Sequence, residues 1–384
     1  MKPTSYVHGG DTSGPSKPFP SHPHRFPLRP AGFRLLLLII VFASAVISAA
    51  ANGKPALIRF GVSNAGVGNP PRTSGGYSSI AQIHRYLERE FEADSIPVQW
   101  IFFKGQGPAV NEAIANNQLD FTSLGDLPSI VGRSAGLDTR LVLVSSSRSD
   151  SYIAVPPGSP LNSVPDLRGK RIAFNKGTAS QLLVNRILEK YGMQERDIRI
   201  VNMEPANARA AFLAGQVDAI VGALDLVRLN SEGKAKIIWS SKNEPLAAAA
   251  GHILVNQKFA DRYPDLTYRV VKALVKAAHW AGEEANRDSV LKIWSSAGTL
   301  SETLYRAEYQ GIPLATRLSP LFDPFIVGID RQSVADAYRY KLIRKTFDVD
   351  AWIDRRYVDA AVRDLKLESF WPVFDKSGNR LQAD

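Results

Sequence analysis

From Leu57 onward the chain alternates between short apolar runs and longer segments of helical period. Leu57–Val62, Pro97–Phe103, Leu119–Ser123 and Arg140–Ser145 read as strands. Ser78–Phe91, Pro108–Asn116 and Pro128–Ala135 read as the helices between them, with apolar residues recurring every third or fourth position. After a turn at Pro156-Pro157-Gly158 the alternation resumes. Strands are predicted at Arg171–Phe174, Arg199–Asn202, Val217–Val221 and Lys236–Ser240, and helices at Thr178–Tyr191 and Ala206–Leu213. Gly192 ends the first of these helices, because glycine takes the left-handed conformation that stops it. His252–Val255 is the last strand, and the rest reads as helices near Tyr268–Ala285, Asp288–Ser295, Ser301–Gln310, Asp330–Tyr340 and Asp350–Leu365. Alternating strands and helices imply an α/β fold with parallel sheets covered by helices.

A short internal similarity divides this pattern. Gln118-Leu119-Asp120 and Gln216-Val217-Asp218 each follow a short helix and lead into an apolar strand. The two units predict two Rossmann-like α/β lobes facing across a cleft, and ligands of such sheets bind beyond the carboxyl ends of the strands. Asp120 and Asp218 sit at strand starts, away from that cleft, which gives them a structural role.

The N-terminal 51 residues are of another kind. A stretch with Arg25, Arg29 and Arg34 precedes an apolar run from Leu35 to Val46, and small residues follow. These are the three parts of a secretory signal peptide, with cleavage expected after Ala50 or Ala51. A membrane anchor needs about 20 apolar residues, and this run is shorter. The expected product is exported to the periplasm and monomeric. Loss of residues 1–51 lowers the net charge from +10 to about +6. That modest field suits a small anion, and no basic cluster with interleaved aromatics points to nucleic acid.

The chain has no Cys, which excludes disulfides, thiol nucleophiles and Cys-ligated metals. Only His84, His252 and His279 follow the signal segment, without metal spacing. No GxSxG elbow or phosphate loop is present, and Gly66-Val67-Gly68 and Gly105-Gln106-Gly107 each lack the third glycine of a dinucleotide fingerprint. No metal, cofactor or catalytic residue is expected.

Four loops at strand ends have anion-binding chemistry: Thr73–Ser78 with Gly76 and Tyr77, Gly125-Asp126-Leu127-Pro128, Lys176–Ser180 with Gly177 and Thr178, and Gly222–Asp225. In the first three, a helix N-terminus offers free N–H groups and the positive end of the helix dipole. Taken singly, such Ser, Thr and Gly residues are ordinary caps; several at the mouths of two lobes point to a site. Arg72, Lys104, Arg148, Lys176 and Arg228 are candidate cations, and His252 stands where the chain returns to the first lobe.

Residues 111–128, 163–180 and 205–219 resemble the periplasmic solute-binding proteins of ATP-binding-cassette importers for nitrate, sulfonates and taurine, the aliphatic-sulfonate branch most of all. The Pro165–Arg171 stretch, followed by a strand and the Lys176-Gly177-Thr178 turn, carries most of the likeness. The resemblance implies a periplasmic-binding-protein type 2 fold: lobe one at 55–156 plus 254–384, lobe two at 157–253, and two crossings. It implies an anionic ligand held by Gly76-Tyr77, Gly125-Asp126, Gly177-Thr178 and Asp225, and delivery to a permease in the inner membrane. Many relatives carry an aromatic stretch where this chain has Ala223-Leu224-Asp225-Leu226, so the organic part of the ligand stays open. An enzyme on the same fold, desulfinase-like or pyrimidine-forming, and a ligand-sensing receptor module are the alternatives.

Overall fold

The computed structural model describes residues 53–244, 249–296, 298 and 300–381. The expected signal peptide lies outside the described residues.

Two five-stranded sheets share one plan. The first contains β1 (Ile58–Val62), β2 (Val98–Phe102), β3 (Phe121–Gly125), β4 (Thr139–Ser149) and, from late in the chain, Ala249–Asn256. The second contains β5 (Tyr152–Val155), β6 (Arg171–Phe174), β7 (Arg199–Asn202), β8 (Ala219–Gly222) and β9 (Lys236–Ser240). With Ala249–Asn256 as β10, the strand orders are β2-β1-β3-β10-β4 and β7-β6-β8-β5-β9. In each sheet the first three strands are parallel and the fourth is antiparallel to both its neighbours. The sheets are therefore mixed rather than purely parallel. β4 passes straight into β5 across residues 150–151, and each strand arriving from the other lobe inserts in the opposite direction. The outward crossing thus lies upstream of the Pro156-Pro157-Gly158 turn, and β5 belongs to the second sheet.

Side-chain alternation builds the second lobe's two cores. Ile172 and Phe174 face one side with Leu183, Val184 and Ile187. Ala173, between them, faces the other with Phe212, Ile220 and Leu226; successive strand residues point to opposite faces. The first lobe is larger because the helical C-terminal part packs onto it. Helix Pro264–Gly282 buries Val270, Val271, Leu274, Val275 and Ala278 in that core, and each of its fully buried large aliphatic side chains contributes about 1.5–3 kcal/mol. Among the described residues no helix is long and apolar enough to cross a membrane.

Some elements differ from expectation. The helix predicted over Ser78–Phe91 is two, Gly76–Ile83 and Tyr86–Phe91, divided by Arg85 in the left-handed region. The predicted Asp350–Leu365 helix is likewise two, Val349–Trp352 and Arg356–Leu365. Helix Leu224–Ser231 follows β8 directly.

The lobes touch in more than one place, and a helix interface is the apolar contact between them. Helix Asp126–Ser134 of the first lobe packs Leu127 and Ile130 against Leu182 of helix Ala179–Lys190, with Val334 and Ala337 of helix Pro324–Arg339. Arg186 of the second lobe donates to Asp336 at 2.7 Å and to Ser333 at 2.9 Å. An open cavity is lined by residues of both lobes.

Candidate functional site

The cavity lies beyond the carboxyl ends of β1, β3 and β4 and measures about 390 Å³, within the range of small-molecule sites. Its head end is hydroxyl-rich. Thr73, Ser74 and Ser78 come from the start of helix Gly76–Ile83, Ser123 from β3, and Ser145, Ser146, Ser147 and Ser149 from β4. Gly75 and Gly76 both have positive φ, 77° and 68°, so the chain turns into the helix with no side chain over its first N–H groups. No side chain caps that helix, and its dipole points into the cavity. Gly251 of β10 makes room for the serines: a Cβ there would fall 2.3 Å from Ser145 Oγ and 2.6 Å from Ser146 Oγ.

Arg317 is the one cation among the described residues lining the cavity. It is mostly buried and donates to Asp150, on the first crossing, at 2.6 Å. Glu308 lines the same wall, accepting from Tyr152 at 3.0 Å and pairing with Lys242 at 2.8 Å. Burial pushes the Glu308 carboxyl above the usual carboxylate range, against the opposing pull of Lys242. Opposite, the second lobe supplies Ala223, Leu224 and Asp225, with Asp225 held by Arg209 at 3.0 Å.

The apolar part of the wall comes from Leu224, Leu300, Tyr305, Tyr309 and Leu318. Trp294 backs both tyrosines, with ring centroids at 5.5 and 5.3 Å. Burial raises both phenols to about 12, so they stay neutral. The aromatic surface missing around Leu224 is thus supplied from the C-terminal helices.

Of the residues expected from sequence, Gly76 and Asp225 line this cavity; the other six lie elsewhere. Tyr77 is fully buried beneath it and donates to Val144 O at 2.6 Å. Gly125 faces Ala179 of the second lobe, and Gly177 faces Pro108. At the Gly177-Thr178 turn, Gly177 N–H goes to Gln181 Oε1, Lys176 N–H to Asn202 Oδ1 and the Thr178 hydroxyl to Asn175 O, and neither Gly177 nor Thr178 lines the cavity. Asp126 is buried in the first turn of its own helix and accepts from Leu127 N–H, so a carboxyl group already occupies that N-terminus. His252 is fully buried within the first lobe, 3.0 Å from Asp330.

The candidate cations are likewise elsewhere. Arg148 lies between the Phe325 and Phe374 rings, Lys176 pairs with Glu195, and Arg228 with Glu232. Arg72 and Lys104 do not line the cavity. Sequence reasoning missed Arg317, Glu308 and the tyrosine pair, since nothing local ties the C-terminal helices to the cleft. The Ser145-Ser146-Ser147 run at a strand end was the available signal.

Known proteins share this architecture. A Bacillus subtilis protein named as an aliphatic sulfonates-binding protein is 28% identical over 287 residues, 74% of this chain and 84% of its own length. The periplasmic sulfonate-binding protein SsuA of Methylobacillus flagellatus superposes with a TM-score of 0.71 at 29% identity, covering 83% of this chain and 97% of that one. The alkanesulfonate-binding SsuA of Xanthomonas axonopodis pv. citri, solved with MOPS bound, gives 0.66 at 27% identity, over 78% and 99%. The desulfurization enzyme DSZB, at 16% identity and a TM-score of 0.62 over 80% and 99%, shares the fold alone. The profile of the NMT1/THI5-like family matches residues 91–286, just over half of the chain, and the chain belongs to that family.

Proposed function

We propose that this protein is the extracytoplasmic binding component of an ATP-binding-cassette importer, exported by its N-terminal signal peptide, and that it captures a small organic anion of the sulfonate type. The observation that carries the reading is the open N-terminus of helix Gly76–Ile83, which faces a serine-lined cavity containing Arg317. Backbone N–H groups, hydroxyls and one guanidinium suit a tetrahedral oxyanion without any reacting group. Charge-assisted hydrogen bonds contribute about 1.5–3 kcal/mol each, so three or four of them reach the roughly −8 kcal/mol of a micromolar site. The tyrosine wall accommodates an organic substituent beyond the head group. The sulfonate-binding relatives support the same class of ligand.

A binding role rather than catalysis fits the residues at hand. The chain has no Cys to act as a nucleophile, and the buried His252 lies outside the cavity. Calorimetric titration with alkyl- and arylsulfonates, sulfate and nitrate tests the assignment. Saturable sulfonate binding with the ligand recovered intact is the expected result; absence of binding across the panel, or conversion of the ligand, overturns it.

A further inference from the structure

The cavity's charges are unusual for an anion site. Among the described residues, three carboxylates, Asp150, Glu308 and Asp225, line it beside the single guanidinium of Arg317. Arg317 is shared, 2.6 Å from Asp150 and 4.0 Å from Glu308. Behind the wall, Lys242 pairs with Glu308 at 2.8 Å and Arg209 with Asp225 at 3.0 Å. These six groups sum to zero before any ligand enters. A ligand's first negative charge has Arg317 to meet it; a second finds no further cation among the described residues of the lining and lies near carboxylates.

Resting on the anion reading above, we propose that Glu308 and Asp150 make this cleft a filter for a single negative charge. It takes tetrahedral monoanions (sulfonates, R–SO₃⁻) and rejects dianions of the same shape (phosphonates, R–PO₃²⁻). Size and hydrogen-bond geometry barely separate the two, so the discrimination falls to electrostatics. A second unit charge about 6 Å from one carboxylate weakens binding by roughly a hundredfold at an effective dielectric near 20.

Glu308 is the adjustable member of the set. Facing it are Lys242 after β9, Tyr152 on β5, Asp150 on the crossing, Arg317 on helix Leu314–Arg317, and Tyr309 at the end of its own helix. Its ion pair with Lys242 keeps a carboxylate on this wall against the pull of burial, and that charge opposes the second charge of a dianion.

The test is calorimetry of the purified protein with hexanesulfonate and hexylphosphonate, each at one pH below and one above the phosphonate's second ionisation. The sulfonate is expected to bind at both. The phosphonate is expected to approach it at the lower pH and to fall at least about tenfold behind at the higher. Glu308→Gln, verified as folded by circular dichroism, is expected to narrow that gap. Equal affinity for the dianion and the sulfonate in the wild type overturns the filter, as does an unchanged gap in folded Glu308→Gln. If that variant does not fold, the wild-type pH series decides alone. A sulfonate that binds at neither pH overturns the anion reading itself, and this inference with it.

Discussion

Asp120 and Asp218 occupy the same place in the two lobes. Asp120 accepts from Arg59 N–H at 2.8 Å and from its guanidinium at 3.0 and 2.6 Å. Asp218 accepts from Arg171 N–H at 2.7 Å and from its guanidinium at 3.2 and 2.8 Å. Each carboxylate closes the start of one parallel strand onto the start of its neighbour, β3 onto β1 and β8 onto β6. The environments differ: the Asp120 side chain is 7% exposed and that of Asp218 31%. Asp120→Asn is therefore expected to cost about 1–3 kcal/mol, and Asp218→Asn less than about 1 kcal/mol. Chemical denaturation measures both. Sulfonate affinity is expected to be unchanged in each folded variant, and its loss would contradict a purely structural role.

The tyrosine wall makes a separable prediction about ligand size. Tyr309 lies along the cavity and rests on Trp294. Tyr309→Ala removes apolar surface from the ligand's organic end and leaves the serine head end untouched. Affinity for hexanesulfonate or an arylsulfonate is expected to fall by about 1–2 kcal/mol, with little change for methanesulfonate. An equal loss for all three would place Tyr309 at the head group instead.

The buried pair of His252 and Asp330 sets a pH dependence of stability. Burial by itself lowers the pKa of His252, but the charge of Asp330 and the hydrogen bond to it outweigh that, and the pKa is raised. A group that holds its proton more tightly when folded stabilises the fold fully below its unfolded value, about 6.5 for histidine. The contribution is lost as pH rises through the higher folded value. Asp126, raised by burial, acts with the same sign at lower pH. The melting temperature of the wild type, referred to His252→Asn, is expected to fall as pH is raised above about 6.5. A constant difference across that range would show that the ring stays neutral.

Much of the frame was legible in sequence because it depends on local periodicity. The strands β1, β2, β3, β6, β7 and β8 follow short apolar runs, and the repeated Gln-apolar-Asp units mark equivalent joints. β5 was not legible: Tyr152–Val155 is four residues long and directly follows another strand, with no turn residue to announce a change of sheet. Of the cavity lining, the sequence reading named Gly76 and Asp225. Helix-start chemistry recurs in several loops, and sequence does not show which N–H groups already have partners. At Gly177 the partner is Gln181, four residues on; at Lys176 it is Asn202, far along the chain. Arg317 carries no local mark, since its position at the cleft depends on how the C-terminal helices pack on the first sheet.

That ambiguity between a cap and a site can be resolved with one pair of substitutions. Ser78 and Thr178 both belong to helix starts rich in Gly, Ser and Thr, in different lobes. Ser78 lines the cavity in the first turn of helix Gly76–Ile83. Thr178 is the N-cap of helix Ala179–Lys190, outside the cavity, with its hydroxyl given to Asn175 O and the neighbouring Gly177 N–H to Gln181. Aspartate is compatible with the start of either helix, since it complements the dipole and caps well, so both variants are expected to fold. Ser78→Asp puts a fixed carboxylate where the ligand's head group belongs. At about 4 Å and an effective dielectric near 20 the repulsion is roughly 4 kcal/mol, close to a thousandfold in affinity. Thr178→Asp is expected to leave affinity near the wild-type value. Calorimetry with one sulfonate on both variants distinguishes the outcomes, and the reverse pattern, with Thr178→Asp abolishing binding and Ser78→Asp retaining it, would move the head group to the start of helix Ala179–Lys190.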